Sequence, residues 1–245
     1  MTKTADIMGM PVRVNLADDF AKEKDIEEVF DYFWLIDERF STYKDGSEIS
    51  KINKGLLKLN EASEEMKKVL RLCEETKEET KGYFDVEKNG KIDPSGLVKG
   101  YAIWQASLVL EKKGYKNFYV EIAGDGEVRG LNNGEVWRIG IENPFNRMEI
   151  VKVMGLSNKG IATSGNYVRG VHIYDPLSGK GVDDIASVTV IGDNVYEADR
   201  FATAIFAMGE RGIVFLENKE GLEGYMVLKN KKAIYTTGFE KFVIS

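Results

Sequence analysis

The chain has 245 residues, with 34 Lys+Arg against 40 Asp+Glu and a formal charge of −6. At 43% hydrophobic and 30% charged residues it is no disordered chain, and its length allows one large domain or two small ones. The acidic balance argues against a nucleic-acid or anionic-membrane footprint, no apolar run reaches the roughly 20 residues of a spanning helix, and one cysteine and one histidine exclude a disulfide framework and a multi-His centre within one chain.

Met1 to Met10 contains no apolar leader core, so the chain reads as cytoplasmic as it stands, or exported if a leader was removed. Met10–Leu16 alternates like a half-buried strand. A helix is expected from about Asp19 to Phe40, with Ile26, Val29, Phe30 and Phe33 on one buried face. After the polar loop Ser41–Gly46, a short helix through Ile49–Ile52 follows. A further helix begins after Asn60 and carries Met66, Val69, Leu70 and Cys73 on one stripe, which makes Cys73 a core residue. From Tyr83 onward, short strands alternate with glycine turns: Phe84–Val86, Phe118–Ile122, Gly126–Gly130, Trp137–Ile141, Ile150–Met154, His172–Tyr174 and Ala186–Ile191. A helix over about Val98–Lys113 interrupts them and stops at Gly114. A last helix over Val195–Met208 stops at Gly209, and Tyr225–Leu228 with Ala233–Thr236 closes the chain. Strands mixed with helices, without regular βαβ alternation, predict an α+β fold of mixed β-sheets with flanking helices, in one unit over 1–245.

Fifteen of the 25 glycines fall in residues 90–181, where backbone must turn tightly or approach something closely. Four segments there and beyond carry candidate chemistry. In Ile92–Tyr101 (IDPSGLVKGY) a turn feeds a helix N-terminus beside Lys99, which suits a phosphate and equally suits an ordinary strand-to-helix turn. In Ile122–Gly130 (IAGDGEVRG) small residues allow close backbone approach, or simply make a hairpin. Ile161–Pro176 places Thr163, Ser164 and Gly165 at a strand end, then His172 and Asp175; His172 is the chain's one group that titrates near neutrality. In Glu197–Phe206, Asp199 and Thr203 stand four residues apart on one helix face, a hard-oxygen pair for Mg²⁺ or an early-helix Asp with a back-bonding Thr.

In order and spacing these segments resemble the ApbE family, the FAD:protein FMN transferases. The likeness also takes in Met8–Pro11, Ile36–Tyr43 (IDERFSTY), Ser47–Asn53 (SEISKIN), Trp137–Ile141 with Asn143-Pro144, and Tyr235–Phe239. It implies one flavin-transferase unit, with room for FAD between two lobes. Such proteins use Mg²⁺ to move FMN from FAD onto a Thr or Ser hydroxyl of an acceptor flavoprotein, and AMP leaves. Some relatives instead hydrolyse FAD to FMN and AMP, and a flavin-binding module without catalysis is the third alternative. The acceptor in this family usually belongs to a membrane redox complex. By the resemblance, Asp199, Thr203 and a backbone carbonyl near Gly96 are the metal ligands. Met10 and Tyr43 are flavin contacts, Tyr43 by stacking. Lys99, the turn Ala123, Gly124, Asp125 and Gly126, and Thr163, Ser164 and Gly165 contact the cofactor. His172 is the residue needed for transfer, with Asp175 as the other candidate proton acceptor. Two departures stand out: family members often have Gly where this chain has Ala123, and Pro94-Ser95-Gly96 precedes Lys99.

Overall fold

The computed structural model describes residues 1–165 and 174–244. Its centre is an eight-stranded sheet in the order β1-β2-β5-β6-β9-β10-β11-β12, antiparallel at every pairing. These strands are β1 (Thr2–Ile7), β2 (Met10–Leu16), β5 (Phe118–Ile122), β6 (Asp125–Arg129), β9 (Lys159–Gly165), β10 (Ile185–Gly192), β11 (Glu223–Leu228) and β12 (Ala233–Tyr235). A two-residue pair, β3 (Glu87–Lys88) with β4 (Lys91–Ile92), precedes the long central helix. A long hairpin, β7 (Trp137–Asn143) and β8 (Asn146–Leu156), forms a third sheet.

Helices cover one face of the large sheet: α1 (Glu23–Phe40), α2 (Glu48–Asn53), α3 (Glu64–Glu79), α4 (Ser95–Lys112), α5 (Val195–Met208) and α6 (Arg211–Glu217). The core on that side gathers Val12, Val14 and Leu16 of β2 with Phe33 of α1, Val69 of α3, Ile103 of α4 and Phe201 of α5. The β7–β8 hairpin covers the opposite face, where Tyr119, Val128, Ile161, Ile191 and Tyr225 of the sheet meet Trp137, Ile139 and Met154. Strand period two explains the division, since neighbouring residues of β9 (Ile161 and Ala162) and β10 (Val190 and Ile191) belong to opposite cores. β10, covered on both sides, is buried at all eight positions.

The helices of the first third follow the apolar stripes, but three N-termini move. α1 starts at Glu23 and α3 at Glu64, where the Ser63 hydroxyl accepts the Met66 N–H at 3.2 Å. α4 starts at Ser95, three residues before the expected Val98, because the Asp93 carboxylate accepts the Ser95 N–H at 3.1 Å and the Pro94 carbonyl accepts from Leu97 and Val98. The expected strand Phe84–Val86 gives way to the short β3–β4 pair just after it. β1 and α6 have no counterpart in the expectations; β1 is drawn into the sheet by pairing with β2 along its whole length. Cys73 is buried on α3, and burial pushes its thiol up to about 12. Among the described residues no helix is long and apolar enough to cross a membrane.

Candidate active site

The glycine-rich turns converge on one end of the sheet. Met8 and Gly9 (φ 59° and 68°) close the β1–β2 hairpin, and Ala123 and Gly124 (φ 49° and 93°) close β5–β6. Two consecutive left-handed residues are the signature of a type I′ turn, whose twist matches the strands. The two turns are neighbours, since the Ala123 N–H donates to the Pro11 carbonyl at 3.2 Å. The methyl of Ala123 is therefore held in a backbone region that disfavours L side chains, at a cost of about 1 kcal/mol.

Directly beyond that turn stands Asp125, with 1% of its surface exposed. One carboxylate oxygen accepts the Thr163 N–H at 2.8 Å. The other meets the Lys99 ammonium at 2.6 Å, so the buried carboxylate is held between a backbone N–H and a cation. Lys99 sits in the second turn of α4, not at the helix mouth, a consequence of the earlier helix start. Period two splits the next candidates. Thr163 pairs its hydroxyl with Thr189 at 2.8 Å, while Ser164 turns toward the helices and lies 3.4 Å from the Thr203 hydroxyl. Gly165 ends β9 opposite Ser187.

The oxygen cluster lies between α4 and α5. Val195, Asp199 and Thr203 recur every four residues and form one stripe of α5. That stripe packs on Gly96 and Gly100 of α4. A Cβ at Gly100 would stand 2.5 Å from the Asp199 Cβ and 2.7 Å from the Val195 carbonyl oxygen, and one at Gly96 would stand 3.1 Å from Thr203 Cγ2. At Gly100 only glycine admits that approach, and the close packing sets two contacts one turn apart: the Thr203 hydroxyl donates to the Gly96 carbonyl at 3.2 Å, and Asp199 Oδ2 accepts the Gly100 N–H at 2.7 Å. Adjacent ligands of an octahedral Mg²⁺ stand about 3 Å apart, so the Gly96–Thr203 spacing suits such an edge. Among the described residues no group of three or more His, Cys, Asp or Glu converges, so a carbonyl, a hydroxyl and one carboxylate form the candidate donor set.

Other candidates fare differently. Met10 opens β2 and packs on the helix-side core. Tyr43 lies on the α1–α2 loop with 92% of its surface exposed. α2 is tied to the entry of α4 by Asn53, which bonds the Ile92 N–H and carbonyl at 2.8 Å each. Gly126 faces away from the cluster, where a Cβ would overlap the Tyr119 ring, so packing explains it without a ligand. Asp175 is a turn former: its oxygens accept the Leu177 N–H at 2.9 Å and the Ser178 hydroxyl at 2.8 Å. His172 lies outside the described residues.

The structure adds residues that the motifs passed over. Glu127 and Arg129 share with Asp125 the helix-facing side of β6. Glu127 is fully buried, accepts the Val195 N–H at 2.5 Å and ion-pairs with Arg129. Burial pushes its carboxyl up to about 7, against the pull of Arg129 and the Val195 N–H. The legible signal was three charges at strand period two (Asp125, Glu127, Arg129) in a segment bounded by apolar strands.

An antiparallel sheet with helices on one face, and an oxygen cluster between two of those helices at the strand ends, defines the class: an α+β protein with a polar site at the ends of its central strands. The chain belongs to the ApbE family, whose sequence model matches residues 8–89 and 86–226. It is 31% identical over 163 residues to the FAD:protein FMN transferase of Haemophilus influenzae, covering 62% of this chain and 47% of that protein. To the FAD:protein FMN transferase of Vibrio cholerae it is 35% identical over 138 residues, 51% of this chain and 41% of that protein. The chain thus spans about half the length of the curated relatives it matches. Its fold matches the flavin transferase ApbE from Vibrio cholerae with a TM-score of 0.86 at 23% identity, covering 99% and 98% of the two chains. The ApbE protein from Thermotoga maritima matches with a TM-score of 0.88 at 24% identity, covering 100% and 99%.

Proposed function

We propose that this protein transfers the FMN moiety of FAD to a Thr or Ser hydroxyl of an acceptor flavoprotein, with Mg²⁺ as cofactor and AMP as leaving group. The reading rests above all on one observation: on glycine-packed stripes of α4 and α5 the Thr203 hydroxyl meets the Gly96 carbonyl, and the Asp199 carboxylate lies one turn along the same stripes at the Gly100 N–H. The names of the relatives point to the same activity.

Gly96, Thr203 and Asp199 would hold Mg²⁺, which when bound offsets charge on the pyrophosphate oxygens. In the transfer, the acceptor oxygen forms a bond to the FMN phosphorus, the bond from that phosphorus to the bridging oxygen breaks, and AMP carries the bridging oxygen away. Lys99 supplies a cation one helical turn from Gly96, and Asp125 holds that ammonium in place. Tyr43, exposed on its loop, offers a ring to stack on flavin. The acceptor hydroxyl must lose a proton, and His172 is the group proposed to take it, since its unperturbed pKa of about 6.5 suits that work. The acceptor class proposed is a flavoprotein subunit of a membrane redox complex.

The test incubates the protein with FAD, Mg²⁺ and an acceptor domain, then reads the intact acceptor mass and free AMP. Acceptor mass gain with AMP is the expected result. AMP alone would make the protein an FAD pyrophosphatase, and bound FAD with neither product a carrier. Asp199→Ala is expected to abolish the Mg²⁺-dependent turnover, and His172→Ala to retain FAD while losing transfer; unchanged transfer by either variant refutes the role given to that residue.

A further inference from the structure

The helix-facing side of β6 holds Asp125, Glu127 and Arg129 where apolar residues would ordinarily lie. Asp125 engages Lys99, whereas Glu127 meets Val195 and Arg129 among the described residues. It accepts the N–H of Val195, the first residue of α5, while the Asn194 side chain accepts the Glu197 N–H at 3.0 Å. These two acceptors satisfy part of the first turn, whose N–H groups have no partners within the helix. The other oxygen of Glu127 pairs with Arg129, and Arg129 in turn reaches Glu111 near the end of α4 at 2.7 Å. One strand thus grips both helices that carry the oxygen cluster, α5 at its start and α4 near its end. From the adjacent strand, Gly160 closes under the same point, since a Cβ there would overlap the Val195 backbone nitrogen.

Val195 heads the stripe that continues through Asp199 and Thr203, and its carbonyl rests over Gly100. A shift of the α5 N-terminus along its axis would carry Asp199 and Thr203 past Gly100 and Gly96 together. We infer that Glu127 is a positioning residue for the metal site: by holding the Val195 N–H, and through Arg129 and Glu111 the far end of α4, it sets the register in which the Thr203 hydroxyl faces the Gly96 carbonyl and the Asp199 carboxylate faces the Gly100 N–H. The inference rests on the flavin-transfer reading for its functional consequence, and on the contacts of Glu127, Arg129 and Glu111 for the bracket that joins the start of α5 to the end of α4.

The test compares the intact wild-type chain with Glu127→Gln and Glu127→Ala by two measurements. The first is amide hydrogen exchange. Leaving a buried N–H without its acceptor is expected to speed Val195 exchange in the alanine variant at least about tenfold, the factor that 1.4 kcal/mol commands, while the amides of β5 and β10 keep their rates. The second is Mg²⁺ titration, followed by FAD binding and by AMP release. The alanine variant is expected to need at least about tenfold more Mg²⁺ for half-saturation, with FAD binding in the absence of Mg²⁺ unaltered. Glutamine keeps a carbonyl acceptor of the same reach, so it should preserve Val195 protection and most of the Mg²⁺ response. Wild-type exchange at Val195 in the alanine variant would overturn the bracket. Faster exchange with an unmoved Mg²⁺ midpoint would reduce Glu127 to a helix cap and overturn the positioning role. A glutamine variant as impaired as alanine would overturn the acceptor account. Should wild-type protein show no response to Mg²⁺, the flavin-transfer reading falls, and with it the positioning role, while the exchange data still judge the bracket.

Discussion

The two faces of the large sheet solve different problems with the same strands. The hairpin-covered face is mainly apolar and aromatic, with the Thr163–Thr189 hydroxyl pair as a small polar island: Trp137 sits 5.9 Å from Tyr119 between ring centroids, and Tyr225 stacks on Phe239 at 5.2 Å. The helix-covered face also has a large apolar core, but at one end it admits Asp125, Glu127, Asp199, Ser164 and Thr203. The difference follows from what covers each face. A β-hairpin uses its own N–H and C=O groups in its ladder and presents only side chains. A helix brings free N–H groups at its start and i, i+4 side-chain pairs, and where glycine replaces a side chain its backbone approaches the neighbour directly. Chemistry therefore collects on the helical face, and the hairpin face supplies stability.

That contrast can be broken by mutation. Trp137→Ala on the hairpin face should lower unfolding free energy by about 3–5 kcal/mol, read from denaturant midpoints, yet leave the Mg²⁺ dependence of turnover unchanged at temperatures where the variant is folded. A moved Mg²⁺ midpoint would show that the two faces are not separable. Gly100→Ala on the helical face should lose less stability, about 1–3 kcal/mol from overpacking against Asp199 and Val195, yet lose most Mg²⁺-dependent turnover. Normal turnover in a folded Gly100→Ala protein would mean that close helix approach does not set the oxygen cluster.

A pH series sharpens the same point. Burial raises the Glu127 carboxyl to about 7 in the fold, above its unfolded value, so the fold favours the protonated form. The groups facing it are Arg129 on β6 and, through Arg129, Glu111 on α4. Its contribution is fully present below the unfolded pKa and is lost as pH rises through about 7. Comparing unfolding free energies across that window, the deficit of Glu127→Gln relative to wild type should shrink as pH rises; a deficit independent of pH would contradict the raised value. The smallest effect is expected at the turn. Ala123→Gly should stabilise by under about 1 kcal/mol, because relief of the left-handed strain is partly offset by glycine's greater freedom in the unfolded chain. A destabilised Ala123→Gly protein would mean that the methyl makes a packing contact of its own.

Much of the fold was legible in the sequence, for a reason particular residues make plain. The stripe Ile26, Val29, Phe33 is a local record of one buried face, and Gly209 (φ 69°) marks a helix end that its neighbours dictate. α5 lies at Val195–Met208 and β5 at Phe118–Ile122, as the spacing predicted. The start of α4 was missed because Asp93 and Pro94 extend the helix backward by two residue-specific bonds that periodicity does not register. Within the candidate site, the spacing of Asp199 and Thr203 and the Ala123-Gly124 turn were readable, since both are facts of neighbouring residues.

What the sequence by itself determined is the set of local conformations and the list of groups able to do chemistry. Which groups meet was decided only by the tertiary structure. Gly96 and Gly100 could have been ordinary turn or helix glycines until α5 came to lie on them. Gly126, from the same cluster of letters, proved to make room for Tyr119. Asp175 was engaged by its own turn, and Glu127 acquired a role only because β6 runs beneath the start of α5. Local sequence records dihedral preference and amphipathic period, which act within a few residues. The contacts that make the site span about a hundred residues, Gly100 to Asp199 and Gly96 to Thr203, and only packing brings them within reach.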